Sequence, residues 1–126
     1  MAKFTLIQNP TFKTDVMLPT VGGEPVKVEF EFKYRDRAEL ADLYAEWDER
    51  HKELGLKSQE VGLKKFTELL IDLQVEQLSA IVAGWDVDEA FTAGNLRILV
   101  RSISSAPRAV LEAYSDAFAK ARLGNS

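Results

Sequence analysis

Apolar and polar residues alternate from Val26 to Tyr34, with Val26, Val28, Phe30, Phe32 and Tyr34 on one side and Lys27, Glu29, Glu31 and Lys33 on the other. A period of two marks a strand with one face on a core. Just upstream, Pro19-Thr-Val-Gly-Gly-Glu-Pro25 supplies two glycines that can take positive φ and two prolines that interrupt pairing. Residues 12–34 are therefore expected to form an antiparallel β-hairpin whose first strand lies near Phe12 to Leu18. Phe4, Leu6 and Ile7 offer a short third strand, ended by Asn9-Pro10.

Beyond Arg35 the period changes to that of a helix. Asp36 can accept from first-turn amides, and Glu39 completes an acidic capping box. Leu40, Leu43, Tyr44, Trp47, His51 and Leu54 follow at three- and four-residue steps, and Gly55 is expected to stop this helix. A longer helix is expected from about Ser58 to Val82. Its apolar arc of Phe66, Leu69, Leu70, Leu73, Ile81 and Val82, widened by Leu63, Val75 and Leu78, implies contacts on more than one side. Gly84 closes it, and Trp85-Asp-Val-Asp-Glu-Ala-Phe91 reads as a connector. Thr92 then caps a third helix bearing Leu96, Leu99, Val100 and Ile103, which stops before Pro107. A fourth helix carries Val110, Leu111, Tyr114, Phe118 and Ala121 and closes at Gly124-Asn125. The pattern predicts an α+β fold: a hairpin, with up to three short strands, followed by about four helices. With no repeat and no linker in 126 residues, residues 1–126 are expected to be one domain, strands in 1–35 and helices in 36–126.

Composition narrows the class. Hydrophobic residues are 46% and charged residues 29% of the chain, values of an ordinary globular protein. No apolar run is long enough to span a bilayer, and the opening residues lack the apolar stretch of a signal peptide, so a cytoplasmic setting is expected. With no cysteine there is no disulfide, thiolate metal site or cysteine nucleophile. The net charge of −4 disfavours nucleic acid as a partner. That charge is unevenly placed: +1 over residues 1–35, −8 over 36–92 and +3 over 93–126, a distribution that permits head-to-tail pairing of copies as well as a merely solvated surface.

Chemistry is sparse. The single histidine, His51, falls on the apolar stripe of the first helix and reads as a half-buried structural residue. Asp86, Asp88 and Glu89 cluster without the spacing or turn glycine of an EF-hand loop, so no metal and no cofactor are expected. No phosphate loop or nucleophile elbow is present, and no catalytic residues can be named. The last two helices, with Arg97, Arg101 and Arg108, imitate a helix-turn-helix with too long a connector. Trp85 and Phe91 flank an acidic turn, an arrangement that either pins the turn to the core or offers aromatic anchors to a partner.

The segments Gly84-Trp-Asp-Val-Asp-Glu-Ala-Phe-Thr-Ala-Gly-Asn-Leu96 and Ala113-Tyr-Ser-Asp-Ala-Phe-Ala-Lys-Ala-Arg-Leu-Gly-Asn125 resemble the tail assembly chaperones of long-tailed bacteriophages and prophages. In both, a helix ends in Gly-Trp before an acidic turn, a capped helix with Asn-Leu follows, and an aromatic-bearing helix comes last. The strand pair and the Arg35-Asp-Arg-Ala-Glu-Leu40 helix start agree in order. The resemblance implies a non-catalytic factor in the host cytoplasm, absent from the finished virion. Such a factor binds the tape-measure protein, keeps it soluble and helps recruit tail-tube subunits. Trp85, Phe91 and Leu96 are the expected client-binding residues, and several copies are expected to coat one client. A structural or adaptor component of a head-tail complex is the alternative, and a small DNA-binding regulator ranks below it.

Overall fold

A computed structural model describes residues 11–122, with side chains through Phe118. The order is β1 (Thr11–Leu18), β2 (Val26–Lys33), α1 (Arg37–Lys57), α2 (Leu63–Ile81), β3 (Val82–Trp85), α3 (Ala93–Ser102) and α4 (Ala106–Arg122). The α+β class is borne out. The short strand expected at Phe4 to Ile7 lies outside the described residues.

β1 and β2 pair antiparallel from Thr11↔Lys33 to Leu18↔Val26, and β3 adds to the other edge of β2, giving the order β1-β2-β3. The hairpin turn needs one left-handed residue, supplied by Gly22 at φ 71°. Alternation then sorts the sheet into two faces. Val16, Leu18, Phe30 and Phe32 are buried against the helices, while Lys13, Asp15, Lys27 and Glu29 face water.

β3 replaces the end of the long helix expected to run to Val82, and Trp85 belongs to a strand rather than to a connector. Locally, Ile81 and Val82 continue a helical arc, but two longer-range terms end the helix at Ile81. Arg35 donates through Nε (3.3 Å) and an Nη (2.6 Å) to the Ala80 carbonyl, and Lys33 Nζ donates to the Ser79 carbonyl at 3.1 Å. Two cations from the end of β2 thus satisfy last-turn carbonyls at the negative end of α2. The chain then turns extended at Val82 and pairs with β2, Phe32↔Val82 and Phe30↔Trp85. Val82 and Trp85 are three residues apart and would face opposite sides of a regular strand. The irregularity opposite Glu31 and Phe32 sets two residues, Ala83 and Gly84, across from one. That bulge returns Trp85 to the face of Phe30, where the rings meet edge-on at 6.0 Å.

α1 opens with the expected capping box, in which Asp36 Oδ1 accepts from the Glu39 amide and Glu39 Oε1 from the Asp36 amide, both at 2.9 Å. Its end is corrected. Gly55 stays helical, and α1 continues to Lys57 before Ser58 closes it, donating its amide to the Leu54 carbonyl and its hydroxyl to the Gly55 carbonyl at 2.6 Å. One glycine near a helix end costs only about 1 kcal/mol, too little to force a stop. Ser58 therefore ends α1 and does not begin α2, which starts at Leu63 behind an extended Gly62. α1 is tied to α2 by the Arg50–Glu76 pair, two parallel bonds of 3.0 and 2.9 Å that hold the Glu76 carboxyl below its ordinary value. His51 is exposed rather than half-buried, and its Nε2 accepts from the buried Gln77 amide at 2.9 Å.

The core joins these sheet residues to Leu78 and Ile81 of α2, Val82 of β3, Leu96 and Val100 of α3, and Ala106, Val110 and Tyr114 of α4. Tyr114 is fully buried, 5.2 Å from the Phe32 ring and 5.0 Å from that of Phe118, and its hydroxyl donates to the Lys33 carbonyl at 2.9 Å. Burial penalises the phenolate and pushes the Tyr114 pKa up to about 12. The native state therefore holds this proton more tightly than the unfolded chain does. The resulting stability is complete below the unfolded value of about 10 and is lost as pH rises through the folded one. Tyr114→Phe is expected to cost about 1–2 kcal/mol at neutral pH by removing the bond to Lys33. It should also flatten the loss of stability above pH ~10, read from urea midpoints measured at stepwise higher pH.

Candidate functional site

A mainly apolar opening lies at the turn end of the hairpin, between the sheet and α3. Leu18, Pro19, Val26 and Val28 form one wall, Trp85, Val87 and Glu89 the end, and Asn95, Ile98, Leu99 and Ser102 the other wall, enclosing about 530 Å³. Local chemistry places each part. The buried face of β1 runs out at Leu18, and Val26 opens β2 with 51% of its surface exposed. α3 is started by Thr92, whose Oγ1 accepts from the Asn95 amide at 3.0 Å. Its residues Leu96 and Val100 point into the core, so Asn95, Ile98 and Ser102 fall on the flank beside the groove. Ile98 is 60% exposed.

Trp85 holds the end of the groove rigid. Its indole Nε1 donates to the Glu89 carbonyl at 2.8 Å, and the Phe91 ring packs edge-on against it at 5.0 Å. The Asn95 side chain donates to the Ala90 carbonyl at 2.8 Å, so the acidic turn from Asp86 to Ala90 is folded back and held at two points. Of the three residues expected to contact a partner, Trp85 lines the groove and stays partly exposed, and Phe91 braces it from beside. Leu96 is 0% exposed and part of the core, so it supports the wall from within and offers no surface.

Val26, Ile98 and Leu18 were not singled out as contacts by the pattern. Ile98 did carry a signal: it lies two residues from Leu96, off the stripe that α3 buries, and a β-branched apolar residue on the wet side of a helix needs another reason to be there.

Among the described residues that line the groove, Glu89 is the one ionisable side chain. The aliphatic walls with an aromatic end suit apolar side chains of another polypeptide. Among the described residues no group of three His, Cys, Asp or Glu side chains is placed to hold a metal. Two of the three arginines that might have met phosphates are engaged, Arg97 with Asp72 at 2.6 Å and Arg108 with Glu112 at 3.6 Å. No helix among the described residues is long and apolar enough to cross a membrane.

A family model described as phage tail assembly chaperone matches residues 1–125. The chain belongs to that family. Membership implies tail proteins as the partners of this tail assembly chaperone and describes an assembly role rather than a catalytic one. No curated protein and no solved structure matches the chain. Within this chaperone, the groove bounded by Trp85 and Ile98 presents apolar side chains at the surface.

Proposed function

We propose that this tail assembly chaperone binds the tape-measure protein through the groove between the hairpin and α3. In the host cytoplasm it keeps that long helical chain soluble and helps bring tail-tube subunits to it, without catalysis. One observation carries the reading: a chain of this family exposes Val26 and Ile98 around a partly exposed Trp85, an apolar opening that nothing among the described residues fills. An apolar helical client would bury side chains there and gain about 25 cal/mol for each Å² of apolar surface removed from water. The groove is short, so each copy covers a small part of a long client, and several copies per client follow.

Co-expression with the tape-measure protein tests this. The client is expected to stay soluble and to co-purify with several copies of the chaperone. An insoluble client with no association would overturn the reading, and a discrete ring of the chaperone alone would then favour a structural part of the head-tail complex.

A further inference from the structure

Trp85 lines a second opening as well as the groove. This is a depression of about 230 Å³ on the water-facing side of the sheet, where Trp85 is joined by Lys13, Glu29, Glu31 and Asp86. Register brings its carboxylates together. Phe30 pairs with Trp85, so Glu29 and Asp86 are neighbours, with the Asp86 amide donating to the Glu29 carbonyl at 2.9 Å. Asp15 lies opposite Glu29 on β1, so a row of like charges crosses the sheet. Asp15, Glu29 and Asp86 are exposed and enter no ion pair among the described residues. Like charges directly opposite one another weaken a sheet, so the row lacks a purpose within the fold. The one cation lining the depression, Lys13, faces Glu31 across the strands, and Glu31 also accepts from the Thr11 hydroxyl at 2.7 Å.

Among the described residues these carboxylates do not form a group placed to hold a metal ion. Spread along a sheet face, they suit separate cations on long stems, such as lysine and arginine carry. Glu89 adds a carboxylate at the end of the groove itself, and its backbone is fixed there because its carbonyl accepts from the Trp85 indole. Apolar walls on the groove side of Trp85 and uncompensated negative charge in the adjoining depression therefore select different parts of one ligand.

We infer that the polypeptide segment taken by the groove carries a run of apolar side chains flanked at one end by lysines or arginines, which pass Trp85 and meet Glu89, Asp86 and Glu29. This deepens the groove reading and rests on it. Apolar burial supplies most of the affinity, and the cations decide which stretch of a long client is taken and which way round it lies.

Fluorescence anisotropy of synthetic peptides against the full chain tests it. The peptides share one leucine-bearing amphipathic sequence and end in Lys-Lys-Lys, Gln-Gln-Gln or Glu-Glu-Glu. At about 50 mM salt the lysine peptide should bind about tenfold more tightly than the glutamine peptide, as a few partly exposed ion pairs together allow, and the glutamate peptide more weakly than either. At about 500 mM salt the three should converge. Glu29→Lys with Asp86→Lys should reverse the order of the peptides. Milder Glu29→Gln with Asp86→Asn should bring the lysine and glutamine peptides to nearly equal affinity, with a thermal melt unchanged or higher because the like-charge row is relieved. Ile98→Glu should weaken all three. Equal affinity of the wild type for the three peptides at low salt, with Ile98→Glu still weakening them, would overturn the basic flank and leave the groove reading in place. Binding that Ile98→Glu does not touch would overturn the groove reading and this inference with it. A lysine peptide whose leucines are replaced by serines should bind poorly; affinity equal to that of the leucine-bearing one would reduce the contact to charge alone and overturn the joint site.

Discussion

Phe32→Ala is expected to lower the free energy of unfolding by about 3–5 kcal/mol, the range for a buried phenylalanine reduced to alanine in a packed core. Phe32 sits on the central strand, fully buried, with ring centroids of Phe30, Phe12 and Tyr114 at 5.9, 5.7 and 5.2 Å. Its β3 partner is Val82, so the cavity would open where the sheet, α2 and α4 meet. Neighbours anchored on three different elements cannot collapse into it cheaply. Domains of this size have about 5–15 kcal/mol in total, so the variant should unfold at a much lower urea midpoint. Val26→Ala, at an exposed end of the same strand, should shift it little. Similar midpoints for the two would mean the core is not centred on β2.

Much of this arrangement is legible from pattern alone, and the reason is locality. Alternation from Val26, the Asp36 and Glu39 box, and the Thr92 cap are each determined within a few residues and each appears, although β2 ends at Lys33, short of Tyr34, and leaves Val26 exposed. β3 is not local. Val82 to Trp85 becomes a strand because Phe30 and Phe32, some fifty residues earlier, present an open edge, and because Arg35 and Lys33 satisfy the carbonyls α2 leaves behind. Neither cause leaves a trace in the window around Val82. Gly55 shows the converse: a residue that permits a helix end does not require one, and α1 runs through it to Lys57.

The site was legible in the same graded way. Trp85 and Phe91 stood out because large aromatics around an acidic turn are rare enough to need a purpose. They meet as a bracing pair, with the Trp85 indole bonded to the Glu89 carbonyl. Leu96 shared their neighbourhood in sequence but belongs to the stripe that α3 buries. The helical period places Leu96 inward and Ile98 outward, so the same argument that removes the first as a contact supplies the second.

Ile98→Glu is therefore the substitution expected to affect client binding most without affecting the fold. At 60% exposure Ile98 contributes little to the core, and glutamate is a good helix former, so stability should stay within about 0.5 kcal/mol of wild type. In the complex the same carboxylate would have to leave water for an aliphatic wall, with Glu89 already lining the groove. Burying an unpaired charge costs more than the apolar contact it replaces. Affinity for the client should fall at least tenfold, about 1.4 kcal/mol or more, seen as loss of soluble client on co-expression with an unchanged thermal melt. Trp85→Ala would be a poorer test, because Trp85 also packs on Phe30 and Phe91 and its removal should lower stability and binding together. If Ile98→Glu retains the client as well as wild type does, the client lies elsewhere. The groove would then need another occupant, and the charged flanks of α1 and α3 would be the next surfaces to alter.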